Sequence, residues 1–176
     1  MSARAAEPAS QTPEAWRDPL RLRPEIEAFN VAYARALDQG RLMDWVEFFA
    51  DDGFYAVTAR ENHDAGLPVG LVHCEGKGMI RDRAFAISTT AMFAPRYLRH
   101  FVSNLHIGAI AADGTVEAES NYLLVQTLHD RPEPKLHQVG TYHDRFVRAA
   151  DGGLLLARRV CVYDTLLVDN SLVYPV

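Results

Sequence analysis

Three side chains of this 176-residue chain could form an acid–base site. Tyr33 and Asp38 lie on and at the end of the first predicted helix, and His100 lies in the middle of a predicted strand. In an apolar pocket, His100 would be the base, Asp38 would orient it, and Tyr33 would polarise a carbonyl group. Such a set could catalyse a dehydration or an isomerisation. The same positions are also typical of an apolar helix stripe, a helix end and a hydrogen-bonded core histidine.

Metal binding is the second chemistry to consider, because the chain contains seven histidines. His100 and His106 are predicted to share one strand and one face, where six residues at ~3.3 Å each separate them by about 20 Å. His137 and His143 have the same spacing, so neither pair can hold one ion. A Rieske cluster would need Cys-x-His paired with Cys-x-x-His, which is missing. Two histidines and a carboxylate from distant segments stay possible, but we predict no metal site in this chain.

Composition narrows the remaining function classes. No Gly-x-Ser-x-Gly elbow or phosphate-binding glycine loop occurs. The net charge of −5 argues against a nucleic-acid binder, which would usually carry a basic patch. No apolar run approaches the ~20 residues that cross a membrane. Cys74 and Cys161 are too few for a disulfide framework, so we predict buried or partly buried thiols in a reducing cytoplasm.

The helices that must position these residues come first along the chain. Residues 1–23 show no steady period, and we predict a flexible leader there. A helix is predicted from Pro24, because proline is favoured at the first helical position, and it ends near Gly40. One face of it carries apolar residues at spacings of three and four: Ile26, Phe29, Tyr33 and Leu37. A second short helix would align Leu42, Trp45, Val46 and Phe49.

The strands follow. A first strand is predicted over 54–58, a long loop over 59–75, and a third helix over 78–90 with Met79, Ile80, Ala84 and Ile87 inward. Four long strands are then predicted over about 97–111, 115–129, 135–148 and 154–168, because turn signals separate these runs. Helices before strands indicate an α+β fold with the helices on one face of a sheet. Long antiparallel strands twist, so residues 24–176 are predicted to form one open cone whose inner face could line a pocket.

Two groups of charged residues stand out as candidates for a subunit interface. Arg81, Asp82 and Arg83 lie together on the third predicted helix. Arg158 and Arg159 lie in an otherwise apolar strand, where charged groups are usually paired. A partner subunit would be one way to pair them.

Several segments together resemble one family. Tyr97–Leu105 resembles the Arg-His-x-Val-Ser-Asn strand of the small (beta) subunits of aromatic-ring-hydroxylating dioxygenases. Met79–Arg83 is similar to the helix that precedes that strand, and His143–Phe146 and Leu156–Asp164 are similar to the last two strands. The resemblance runs from Ile26 to the C-terminus, and the order and spacing of the segments make it specific.

The resemblance implies a fold and a role. The fold would be the cone of nuclear transport factor 2 and scytalone dehydratase, with a strongly curved, mostly antiparallel sheet and about three helices. The role would be a structural, non-catalytic beta subunit of a multi-component oxygenase. A partner alpha subunit would hold a Rieske 2Fe–2S cluster and a mononuclear iron, typically in an α3β3 hexamer with contacts between beta subunits. The loop Glu61–Pro68 looks most like small subunits of salicylate 5-hydroxylase and terephthalate dioxygenase systems, which suggests a carboxylated arene as substrate.

Two alternatives remain at this point. Tyr33, Asp38 and His100 fall where stand-alone dehydratases of the same fold place their acid–base groups, so a dehydratase or isomerase is the second hypothesis. A cone that only binds a ligand is the third. A beta subunit should co-purify with an iron–sulfur protein and be inactive alone, whereas a dehydratase should turn over alone.

Overall fold

A computed structural model of the protein describes residues 17–165, 168 and 172–176. In this part of the chain, helices come mainly before the strands, and the predicted α+β class is confirmed. The elements are, in order, α1 (Pro19–Asp38), α2 (Leu42–Val46), β1 (Phe49–Ala59), α3 (Arg60–Asp64), β2 (Val72–Glu75), α4 (Gly76–Thr89), β3 (Arg96–Ile110), β4 (Val116–Leu128), β5 (Lys135–Arg148) and β6 (Leu154–Tyr163).

Helix α1 begins five residues earlier than the sequence predicted. Asp18 caps it, because its carboxylate accepts a hydrogen bond of 2.9 Å from the amide of Leu20. Pro19 takes the first helical position, and Pro24 lies inside the helix. The preference for proline at the first helical position therefore applies to Pro19 and not, as predicted, to Pro24. Of the predicted leader, residues 17 and 18 precede the helix, 19–23 are helical, and 1–16 lie outside the described residues.

The segment between α1 and α4 differs from the prediction in three ways. Phe49 begins strand β1 rather than continuing α2. The predicted loop over 59–75 contains the short helix α3 and the strand β2. Met79 is exposed on α4, whereas Ile80, Ala84 and Ile87 are buried as predicted. The last strand ends at Tyr163 rather than at 168: residues 164, 165 and 168 are not in a strand, and 166 and 167 lie outside the described residues.

The six described strands form one sheet in the order β2-β1-β6-β5-β4-β3. Neighbouring strands run antiparallel, apart from the parallel pair β1 and β6. Strand β3 is consequently an edge strand. Helix α1 packs against it, so α1 and β3 face each other.

Register shifts bend this sheet in the pairs β1–β6, β3–β4, β4–β5 and β5–β6. A bulge adds one residue to one strand and increases its local twist. In β3 the extra residue falls between Ser103 and His106. Asn104, within this stretch, has a φ of 55°. The bulge reverses the faces of β3 beyond it, so that His106 is exposed while His100 is buried. The prediction that these two histidines share a face is therefore wrong.

Candidate functional site

The carboxylate of Asp38 holds His100 at two points. Its Oδ1 lies 2.7 Å from Nδ1 of His100 and accepts the backbone N–H of the same residue at 3.1 Å. The His100 side chain is fully buried, and that of Asp38 is 16% exposed. The end of α1 places Asp38 opposite the first half of β3. Because Nδ1 faces the carboxylate, the pair fixes the orientation of the imidazole ring.

A pocket of about 500 Å³ lies between α1 and β3, with this pair in its lining. One side of helix α1, from Glu27 to Asp38, lines it, and so do residues 100–105 of β3, which include the bulge. The apolar part of the lining comprises Val31, Ala34, Phe101, Val102 and Leu105, and the polar part includes Asn30, Asp38, His100, Ser103, Asn104 and Ser120. Sites for small molecules typically combine apolar walls with a few polar groups in a volume of this size.

Two polar atoms in this lining have no hydrogen-bond partner within the described part of the chain. They are Nε2 of His100 and the hydroxyl of Ser120, and both are buried. Most buried polar groups in proteins are hydrogen-bonded, so unpartnered ones need an explanation. Asn30 and Ser120 were not identified from the sequence. A signal was present, because each is a polar residue at a position of the pattern that otherwise faces the core.

Tyr33 lies elsewhere, inside the cone. Its ring is fully buried against Trp45, Phe48 and Phe49, and its hydroxyl donates to the carbonyl of Val176 at 3.0 Å. Burial raises the pKa of Tyr33 well above its usual value. The structure thus brings Asp38 and His100 together but not Tyr33. The hypothesis that all three form one acid–base site is corrected on this point.

The segment 172–176 closes the cone interior. Val176 is completely buried, its carbonyl accepts hydrogen bonds from Tyr33 and Tyr55, and its amide donates to the Tyr55 hydroxyl at 2.9 Å. Helix α4 holds the segment through Arg83, which donates to the carbonyls of Leu172 and Val173. A residue of the chain itself therefore occupies the space at these two phenols.

Arg159 is buried in the same interior, which corrects its assignment as an interface residue. It makes a two-point pair with Asp144 at 2.7 and 2.8 Å and donates to Asn30 at 2.7 Å. The rings of Tyr33 and Tyr142 stack on its guanidinium group at 4.1 and 4.2 Å. Burial alone would lower the pKa of Arg159, but the Asp144 carboxylate outweighs it and holds that pKa well above its usual value. The charge is paired within the chain, so no partner subunit is needed.

The other interface candidates remain on or near the surface. Arg81 is exposed and contacts Glu47 at 3.4 Å, and Asp82 is exposed. Arg83 is half-buried because it binds the segment 172–176. Arg158 is exposed on the outer face of the sheet, where its guanidinium group lies 4.4 Å from the centre of the Phe54 ring.

Donor groups for a metal ion do not converge in the described part of the chain: no three His, Cys, Asp or Glu side chains come together there. Both cysteines are free and buried, as predicted. The thiol of Cys161 donates to the Val176 carbonyl, and burial raises its pKa above the usual value. Among the described residues, no helix has the length and apolar character needed to cross a membrane.

Comparisons with known proteins indicate one family. The model of a family described as ring hydroxylating beta subunit matches residues 32–170. The small subunit of anthranilate 1,2-dioxygenase from Burkholderia cepacia is 40% identical over 152 residues, which are 86% of this chain and 92% of that protein. A beta subunit of the terminal oxygenase component of terephthalate 1,2-dioxygenase from a Comamonas species is 31% identical and covers 86% and 96% of the two chains.

A solved structure extends this likeness to the fold. It is a beta subunit ascribed to an aromatic-ring-hydroxylating dioxygenase of Novosphingobium aromaticivorans, with 37% identity and a TM-score of 0.78. The matched region covers 88% of this chain and 97% of that protein's chain. The predicted cone fold and the resemblance to dioxygenase small subunits are both confirmed. The chain therefore belongs to the family of ring-hydroxylating dioxygenase beta subunits.

Proposed function

We propose that this protein is a structural subunit whose own side chains do not catalyse the hydroxylation. The separation of Tyr33 from Asp38 and His100 carries the proposal. A dehydratase using these groups would need the phenol beside the imidazole, but the Tyr33 hydroxyl is bound to the Val176 carbonyl inside the closed cone. What remains is a cone whose interior is filled by its own apolar side chains, which suits a protein that supports another chain.

The partner is an alpha subunit, since family membership makes this chain the small component of a multi-subunit oxygenase. As part of the proposal, that partner holds the Rieske 2Fe–2S cluster and the mononuclear iron, and the two chains form an α3β3 hexamer with contacts between beta subunits. The location of the metals is supported by the lack of convergent donor groups among the described residues here. A cytoplasmic location is supported by two free thiols, which are typical of reducing compartments.

The substrate class that we propose is an arene bearing a carboxylate. The relatives named above are dioxygenases of anthranilate and of terephthalate, and both compounds are aromatic carboxylates. Under this proposal, recognition of the carboxylate belongs to the alpha subunit.

The proposed interface includes the outer face of the sheet near Arg158 and the surface of α4 with Arg81 and Asp82. Arg158 lies over Phe54, so an apolar ring and a cation are presented together. Such combinations are favoured at interfaces, where arginine and aromatic residues are enriched. Arg83 contributes indirectly, because it fixes the segment 172–176 against α4.

Co-purification tests the proposal. We would express this chain with an affinity tag together with an untagged Rieske-type alpha subunit, and measure composition, mass, iron and turnover of the purified material. We expect a stable complex that contains both chains, with iron and turnover only when the alpha subunit is present. If the chain purified alone dehydrated or isomerised a cyclic substrate, or bound no alpha subunit, the proposal would be wrong.

Interface variants sharpen that experiment. Arg158→Ala and Arg81→Ala should reduce the mass of the assembly measured by light scattering while leaving the chain folded. Arg41→Ala is a matched control, because Arg41 is an exposed arginine whose described side-chain partners, Gln39 and Asp44, are both local. An unchanged assembly in both test variants would remove Arg81 and Arg158 from the interface.

A further inference from the structure

The α1–β3 pocket described above is not needed for a purely structural role. We propose that it binds a neutral ring compound carrying a hydroxyl group, such as a phenol or a cyclic alcohol. The inference stands apart from the proposed function, because the pocket belongs to this chain's own residues.

The pocket has the features of a built site. Its volume of about 500 Å³ accommodates a ring compound. A bulge shapes its wall, and Asn104 in that bulge has a left-handed φ of 55°, an uncommon conformation for a residue other than glycine. Bulges and such backbone conformations are over-represented next to functional sites.

The rim and walls are suited to a ring. Val31 on α1 and Phe101 on β3 are each 59% exposed although both are large and apolar. Both belong to the pocket lining, together with the apolar residues Ala34, Val102 and Leu105. A ring inserted between them would cover surface that is now in contact with water, which is favourable in proportion to the apolar area removed.

The floor is suited to a hydroxyl group. The Asp38 carboxylate is partly exposed and accepts hydrogen bonds, so it can receive the proton of an O–H group. Behind it, Nε2 of His100 and the hydroxyl of Ser120 are buried without partners among the described residues. The His100 side chain is itself fully buried, so the ligand oxygen meets Asp38.

Charge excludes an anion as the preferred ligand. The lining contains the carboxylates of Glu27 and Asp38 and one guanidinium group, that of Arg35. A ligand carboxylate would add a third negative charge near Asp38 and would lack the proton that this acceptor requires. The pocket should therefore distinguish a phenol from a benzoate of the same size.

Three fluorinated probes of similar size test the proposal by ¹⁹F NMR on the full chain: 4-fluorophenol, 4-fluorobenzoate and 4-fluorotoluene. We expect saturable binding of the phenol at pH 7, with at least about tenfold weaker binding of the other two, which corresponds to ~1.4 kcal/mol. Tighter binding of the benzoate, equal binding of all three probes, or no saturable binding of the phenol at millimolar concentrations would overturn the proposal.

Blocking variants locate the binding. Val31→Trp and Arg35→Trp each introduce a large ring into the pocket from α1; both residues line the pocket and are exposed, so the fold should persist. Each should abolish binding of 4-fluorophenol. Met43→Trp is the matched control, because Met43 is exposed on α2 and does not line the pocket. Phenol binding that survives both blocking variants would show that the site lies elsewhere and contradict the assignment.

Discussion

The closed interior around Arg159 and the open pocket beside His100 differ in what fills them. In the interior, the buried charge is paired with Asp144, and two of the phenols, those of Tyr33 and Tyr55, bind Val176. Both regions contain buried polar atoms without partners among the described residues: Nη1 of Arg159 and the Tyr142 hydroxyl in the interior, and Nε2 of His100 and the Ser120 hydroxyl in the pocket. The pocket differs because large apolar side chains reach the solvent there. The first arrangement is typical of a core that specifies one structure, and the second of a surface that receives another molecule.

This difference between the interior and the pocket indicates which region could bind another molecule. A phenol that is hydrogen-bonded to the chain's own backbone cannot also polarise a substrate, so the interior contributes stability. The Asp38–His100 pair keeps free hydrogen-bonding capacity, but it lacks a phenol. Each region therefore holds only part of the acid–base set that the sequence suggested.

The largest expected effect comes from breaking the interior pair. Arg159→Ala should lower the free energy of unfolding by about 3–5 kcal/mol, because it leaves the Asp144 carboxylate buried and unpaired. Arg158→Ala is the adjacent control, and its exposed position should keep the change near 0.5 kcal/mol. Urea denaturation of both variants measures the difference. Equal losses would contradict the view that Arg159 is a core residue. Replacing Arg159 by Met and Asp144 by Leu together should recover most of the loss.

A smaller effect is expected at the phenol. Tyr33→Phe removes the hydrogen bond to Val176 and should cost about 0.5–1.5 kcal/mol. Tyr97→Phe serves as its control, because Tyr97 is 61% exposed and its loss of a hydroxyl should be nearly neutral. Denaturation at equal ionic strength compares the two variants. A neutral Tyr33→Phe would mean that the contact with Val176 does not stabilise the closed interior.

Alkaline pH should weaken the interior gradually. Burial raises the pKa of the Cys161 thiol, so the unfolded chain loses this proton first as the pH rises. The stability is fully present below the unfolded pKa of about 8.5 and then falls by up to about 1.4 kcal/mol per pH unit for this group. Denaturation between pH 8 and 10 measures the slope, which Cys161→Ala should reduce. An identical slope in that variant would show that Cys161 does not contribute.

The sequence predicted the long elements well and the local ones poorly. The periodicity of α1 and the turn signals between β3, β4, β5 and β6 locate these elements to within a few residues at most of their ends. The bulge at Asn104 was not visible, because an extra residue in a strand leaves the composition unchanged. It alone decides that His106 points away from His100.

The candidate site was predicted in part for a similar reason. Asp38 and His100, which the structure brings into contact, were singled out because a polar residue at a helix end and one inside an apolar strand are conspicuous in the sequence. Tyr33 precedes Asp38 by five residues on α1, which is about 140° around a helix, so the two side chains leave it on different sides; the sequence analysis did not use this signal. The pairing of Arg159 with Asp144 depends on the register between β5 and β6, which no local pattern reveals.

Turnover of the assembled oxygenase with His100→Gln tests the central claim most directly. If the chemistry belongs to the alpha subunit, the variant should lose no more activity than its loss of stability and assembly explains, and the hydroxylated product should be unchanged. A loss of ~10²–10⁴-fold, typical of a missing acid–base group, in a fully assembled variant with normal iron content would contradict the claim.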